Sequence, residues 1–122
     1  MKFALQRYIL FCRDMRAMTE FYGNVMGLKK TTRPGDSESE WVELGNKAFR
    51  IALHKAGSPG CKDRNRNKMV FEVDDVGAAR EYLMEHGVRM GKHHQWSHAD
   101  ASDGKDPEGN VFQITGPSSI DN

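Results

Sequence analysis

Cysteine is scarce in this chain: Cys12 and Cys61 are the only two among 122 residues, and they form no C-x-x-C pair. That excludes a disulfide framework and a cysteine-based zinc cluster, and it fits a reducing compartment, so a cytoplasmic location is expected. An excess of one charge is also missing, since 18 Lys plus Arg stand against 17 Asp plus Glu, a net +1. Neither a nucleic-acid partner nor a membrane-surface partner is expected from that balance. The one basic stretch, "CKDRNRNK" (61–68), reads as a solvated loop. Long hydrophobic runs are absent too. The opening "MKFALQRYILFC" is broken by Gln6 and Arg7 and is too short for a signal segment or a membrane span. No Ser-His-Asp order and no phosphate-cradling glycine loop appears, and "GKDPEG" reads as a turn.

What is present is a repeated pattern. "RYILFC" (7–12) reads as a strand and "DMRAMTEFYGNVMGL" as a helix, with Asp14 as N-cap and Gly27 as a left-handed stop. "EWVELG" (40–45) and "AFRIALHK" (48–55) read as strands joined at Gly45-Asn46. The pattern then restarts. "KMVFEV" (68–73) reads as a strand and "DDVGAAREYLMEHGV" (74–88) as a helix, capped by Asp74 or Asp75 and stopped by Gly87. One strand is expected within 89–103, a last strand in "NVFQIT" (110–115), and a loose tail after it. Setting Asp14 on Asp75, an offset of 61, puts Ala17 on Ala78, Glu20 on Glu81, Phe21 on Tyr82 and Cys12 on Val73. Two half-length copies of a strand-helix-strands unit follow, each covering one sheet face with one helix.

Three stretches carry a resemblance: "FYGNVMGL" (21–28), "FEVDDVGAAREYLMEHGV" (71–88) and "DPEGNVFQI" (106–114). Together with the repeat they resemble the vicinal oxygen chelate superfamily, which includes glyoxalase I, bleomycin- and fosfomycin-resistance proteins and extradiol dioxygenases. The resemblance implies an α+β fold of two βαβββ modules, here about 1–60 and 61–117 of a single domain 1–122. It implies curled mixed sheets around a cleft, and a homodimer. Catalytic members of that family hold a divalent metal with His and Glu at four places. On this chain those places fall on Arg7, Ala52, Lys68 and Gln113. None is a His or a carboxylate. Arg has no lone pair to offer, Lys must first lose its proton, and Gln brings no charge. No metal at the usual place, no cofactor, and no glyoxalase I, epimerase or dioxygenase activity are therefore expected.

Strand parity sorts the faces. Tyr8, Leu10 and Cys12, then Met69, Phe71 and Val73, then Phe112 and Ile114, form the apolar sets expected under the helices. Arg7, Ile9 and Phe11, then Lys68, Val70 and Glu72, then Val111, Gln113 and Thr115, are expected to line the cleft. Arg7 and Lys68 could hold a carboxylate, phosphate or enolate oxygen, with Gln113 adding a hydrogen bond. The plainer alternative has both cations snorkelling to solvent or neutralised by Glu72, and Gln113 bonded to neighbouring side chains.

"HHQWSHAD" (93–100) brings His94, Trp96 and His98 to one face of a strand, or His94 and His98 to one face of a helix. It reads as a polar strand or loop. In the cleft it would suit a flat or aromatic ligand, or provide a general base, and with Asp100 or His54 it could make a shifted metal site. Trp41 reads as a core filler or as a stacking platform. Three readings stay open: a metal-independent small-molecule binder; an enzyme of lyase or isomerase type, metal-free or with its metal at a shifted histidine site; and a non-catalytic module with the cleft plugged by Phe11, Trp41 or Trp96.

Overall fold

The structure is a computed structural model that describes every residue except 3–4, 33–34, 36, 47, 58–66 and 121–122. Cys61 and most of the basic stretch 61–68 lie outside the described residues. The chain divides into two compact units, Met1–Lys62 and Asp63–Asn122.

In the first unit, β1 (Arg7–Cys12) is followed by α1 (Met15–Val25), β2 (Trp41–Gly45) and β3 (Arg50–Lys55). The sheet order is β1-β3-β2, with β1 parallel to β3 and β2 antiparallel to it, and a single bridge from Lys30 to Leu44 extends the β2 edge. In the second unit, β4 (Met69–Glu72) and α2 (Val76–Glu85) precede β5 (His94–Gln95), β6 (Asp100–Lys105) and β7 (Val111–Gly116). That sheet runs β4-β7-β6-β5, with β4 parallel to β7 and the other pairs antiparallel. Each unit is thus an α+β module with a mixed sheet: the second is βαβββ as expected, whereas the first is βαββ with a single bridge at its edge in place of a further strand. The offset of 61 carries β3 onto β7 residue for residue.

The two helices start on the same device. Asp14 Oδ1 accepts from Ala17 N at 2.9 Å, and Asp75 Oδ1 accepts from Ala78 N at 3.0 Å. These caps satisfy N–H groups that the first turn leaves unpaired. Both helices give way to a glycine with positive φ, Gly27 at 78° and Gly87 at 80°. Between cap and stop, α1 departs from the expected regular helix. Met15–Thr19 is α-helical, whereas Glu20–Val25 is a wider π turn, with Met26 N donating to Phe21 O at 2.9 Å. The wider turn keeps the consecutive Phe21 and Tyr22 both buried, edge to face at 4.8 Å.

Each helix covers the face that parity assigns to the core. Leu10, Cys12, Val42, Leu44, Ile51 and Leu53 are buried with Met15, Met18, Phe21 and Tyr22 in the first unit. Phe112 and Ile114 are buried with Val76 and Leu83 in the second.

Two sequence expectations are corrected in the second unit. The segment 89–103 holds two strands rather than one, because β6 starts at Asp100 and continues to Lys105. "DASDGK" has no apolar alternation. It is held as a strand by pairing with β7, where Gly104 leaves room for the Phe112 ring. The tail is not loose as far as Ile120. Gly116 belongs to β7, Ser118 Oγ donates to Trp96 O, and Ser119 N donates to Asp100 Oδ1 at 3.0 Å. The "DPEGN" turn before β7 is built by one carboxylate. Asp106 Oδ1 accepts from Glu108 N and Asn110 N, and Oδ2 accepts from the Asn110 amide at 2.8 Å.

Candidate functional site

The sheet face turned away from the helix carries the candidate residues in each module. In the first module its rows follow from the register. Arg7 pairs with Arg50, Ile9 with Ala52 opposite Glu43, and Phe11 with His54 opposite Trp41. Glu43 was not singled out by sequence reasoning, yet it organises this face. Its side chain is only 5% exposed, and it lies 3.4 Å from Arg7 Nε and 3.9 Å from Arg50 Nη1. The Thr32 hydroxyl accepts from the Glu43 backbone N–H at 3.2 Å and locks the strand edge behind it. At the other end of the face, Phe11 stacks on His54 at 5.5 Å and Trp41 meets His54 edge-on at 5.3 Å. Phe11 is exposed rather than packed as a plug, and Trp41 is half-buried beside it.

The second module repeats the arrangement with different chemistry. Val70, Gln113 and Asp103 form one row, and Glu72, Thr115, Ala101 and His94 form the next. Asp103 Oδ2 accepts from Lys68 Nζ at 2.9 Å, and Oδ1 accepts from Gln113 Nε2 at 3.1 Å. Gln113 is therefore a donor to a carboxylate on the neighbouring strand. Glu72 is not the partner of Lys68; Asp103 is. By the offset, Arg7 corresponds to Lys68 and Ala52 to Gln113, and the carboxylates Glu43 and Asp103 stand on corresponding strands. The two pairs differ in burial. Lys68 and Asp103 are each about two-fifths exposed, whereas Glu43 is enclosed.

The histidine stretch resolves into two features. His94, Trp96 and His98 form a column with ring centroids 5.0 and 5.5 Å apart and nearly parallel planes. The indole stacks against both imidazoles. His93, by contrast, has its Nε2 2.9 Å from Oδ2 of the buried Asp100. Hydrogen bonds from the Ser119 hydroxyl, then its backbone N–H and His93, hold the Asp100 carboxyl below its ordinary range, while burial pushes the other way. Gln95 completes this cluster by donating to Ser119 Oγ at 2.8 Å.

A groove of ≈ 970 Å³ runs on the helix side of the first module, bordered by Arg13, Arg16, Glu20, Lys30, Glu38 and Lys55. Its border charges are of both signs, and Lys30 and Glu38 pair with each other. A smaller one, ≈ 320 Å³, adjoins Asp103, Lys105 and Val111 in the second module.

The four places for metal ligands can now be judged by their donors. Arg7 faces Glu43, Ala52 has no donor, and Lys68 and Gln113 both give their N–H groups to Asp103. These residues do not fit a divalent cation. Among the described residues no three His, Cys, Asp or Glu side chains gather as a metal-binding group. No described helix is long and apolar enough to cross a membrane.

Comparison with known proteins agrees with the topology. TnmS3, an antibiotic-binding protein from Streptomyces sp. CB03234, matches with a TM-score of 0.78 at 20% identity, covering 96% of this chain and 98% of its own. A glyoxalase/dioxygenase from Nostoc punctiforme matches at 0.76 and 16% identity, over 94% and 91%. Lactoylglutathione lyase from Agrobacterium tumefaciens matches at 0.70 and 20%, over 93% and 92%. At these identities the likeness is one of fold. No curated protein matches the sequence. The model of the glyoxalase-like domain family matches residues 7–115, nearly the whole chain. The chain belongs to the glyoxalase-like domain family, within the vicinal oxygen chelate superfamily.

Proposed function

We propose that this glyoxalase-like protein binds a small molecule on the helix-free faces of its sheets and does so without a divalent metal. One observation carries the reading. In each module the place of the family's metal ligands is taken by a cation facing a carboxylate, Arg7 with Glu43 and Lys68 with Asp103. Each place thus carries a cation of the chain's own where a metal would otherwise bring positive charge. The faces keep apolar and aromatic side chains in the open, with Ile9, Phe11, Val70 and Trp96 all exposed. Exposed aromatic and apolar groups beside a few polar ones are what a small-molecule surface requires. The antibiotic-binding TnmS3 shares the fold, which supports small-molecule binding on this scaffold.

The test is a thermal-shift screen of small organic molecules on untagged protein, before and after treatment with chelator. Ligands that raise the melting temperature saturably, and equally in chelator, are expected. A ligand at a hundred times its Kd should add about 2.7 kcal/mol. Stabilisation that disappears with chelator, or a near-stoichiometric bound metal, refutes the proposal.

A second reading has one observation of its own. The His93–Asp100 pair is the arrangement that fixes a histidine's tautomer and leaves its other nitrogen available for proton transfer. A metal-free lyase or isomerase would use it, and His93→Gln would then abolish turnover while leaving ligand affinity intact.

A further inference from the structure

The helix-free face of the first module is unbalanced in a way that specifies a ligand. Two guanidiniums, Arg7 and Arg50, share the single carboxylate of Glu43. Both distances, 3.4 and 3.9 Å, are longer than charge-assisted bonds normally are. Arg7 Nε and Arg50 Nε are buried and without a hydrogen-bond partner among the described residues. Such groups are rare in folded proteins and each calls for an acceptor. Each guanidinium offers five N–H groups and one carboxylate about four acceptor sites, so the donors outnumber the acceptors. The cluster also carries one uncompensated positive charge. Both arginine side chains remain about one-third exposed, so a solute can reach them.

Further along the same strands the surface changes character. The next row holds Ile9, which is exposed, beside Ala52, which is wholly buried, so an apolar side chain bridges the cations and the aromatic group. The row after that presents Phe11 on His54 with Trp41 at its side, and His54 Nδ1 is buried and unpartnered among the described residues. Rows two residues apart are roughly 6.6 Å apart, so the cations and the aromatic group are separated by roughly 13 Å, less the inward reach of the arginines.

We infer that this face binds an aromatic carboxylate, with Arg50 and Arg7 taking the acid group and Phe11 and Trp41 the ring; the inference rests on the binding reading above. A second carboxylate brings charge in the cluster to balance and accepts from the parts of the two guanidiniums that remain exposed. The ring covers Phe11, whose side chain is otherwise in water. Glu43 holds the two arginines apart and oriented while the site is empty, and so acts as a positioning residue.

The experiment is calorimetric titration of the full chain with 4-biphenylacetate and with the neutral 4-biphenylethanol, which keeps the rings and removes the charge. The acid should bind at least about tenfold more tightly than the alcohol. In Arg50→Gln this gap should close to within about threefold, while Phe11→Ala should weaken acid and alcohol alike. Should Arg50→Gln fold poorly, the unmodified protein still gives the answer. Raising salt from about 0.05 to about 0.5 M should narrow the gap by weakening the acid alone. Equal binding of acid and alcohol, or a gap unchanged by both Arg50→Gln and salt, overturns the inference and leaves the binding reading standing. Absence of binding by either probe also overturns it. If the wider screen then finds other chelator-insensitive ligands, only this inference falls; if that screen is blank as well, both readings fall.

Discussion

Replacing Glu43 by Gln and Asp103 by Asn removes one negative charge from corresponding places in the two modules, and the two changes should differ sharply. Breaking a fully buried ion pair costs about 3–5 kcal/mol, because it strands an uncompensated charge. Here the stranded groups are Arg7 and Arg50, each about one-third exposed, so solvent recovers part of that energy. Halving the figure for this screening gives about 2 kcal/mol for Glu43→Gln. Lys68 and Asp103 are both about two-fifths exposed. Exposed pairs contribute about 0.2–1 kcal/mol, and an Asn at 103 can still accept from Gln113. For a chain of this length, 1 kcal/mol shifts Tm by about 3–5 °C. Thermal unfolding followed by circular dichroism should therefore show a loss of about 6–10 °C for Glu43→Gln and less than about 5 °C for Asp103→Asn. Salt at about 0.5 M should erase most of the second loss and little of the first. Equal losses, or a larger one at Asp103, would refute the view that enclosure distinguishes the two pairs.

Other consequences can be checked on the same material. A Cβ at Gly104 would stand 2.5 Å from Met90 Sδ and 2.6 Å from Phe112 Cζ. Met90 can yield, but the Phe112 ring is wholly buried. Gly104→Ala should cost about 1–3 kcal/mol in a urea titration, and a neutral result would mean that β6 can shift away from the ring. Asp100 has a folded pKa below its unfolded value, so its contribution is present above pH about 4 and lost as pH falls through the lower folded value. The Tm gap between wild type and Asp100→Asn should accordingly be wide at neutral pH and shrink in acid; a gap constant down to pH about 2 contradicts the role given to Ser119 and His93. Asp14→Ala and Asp75→Ala should each cost about 1 kcal/mol in chemical denaturation, and a cap that matters in only one module would break the equivalence of the two helix starts.

Features of this fold that depend on neighbours in the chain were legible in the sequence. Asp14 and Asp75 cap because a short acceptor stands three residues before an unpaired N–H. Gly27 and Gly87 stop because they tolerate positive φ. The Asp106 turn closes over four residues. Strand parity was legible in β1 as well, because side chains alternate in direction along a strand whatever it pairs with: Leu10 and Cys12 are buried where Ile9 and Phe11 are exposed. The strand β6 was missed because "DASDGK" has no such alternation, and only pairing with β7 makes it a strand. The π turn was missed because sequence spacing does not distinguish a helix that widens by one residue to bury Phe21 with Tyr22.

The candidate site divides the same way. Sequence by itself determined the two-fold repeat, and it gave Arg7, Ala52, Lys68 and Gln113, none of them a His or a carboxylate, as the residues expected at the family's metal positions. Only the tertiary structure decided what those residues face. Lys68 meets Asp103 across 35 positions of sequence, and Gln113 meets the same carboxylate from the neighbouring strand. Arg50 joins Arg7 at Glu43 because β3 lies between β1 and β2. The offset of 61 sets Glu43 on Gly104, and only the register, which pairs Glu43 with Ala52 and Asp103 with Gln113, makes the two carboxylates correspond. A charge pair is a property of distance, and distance between residues far apart in sequence is created by strand order and register, which local pattern does not encode.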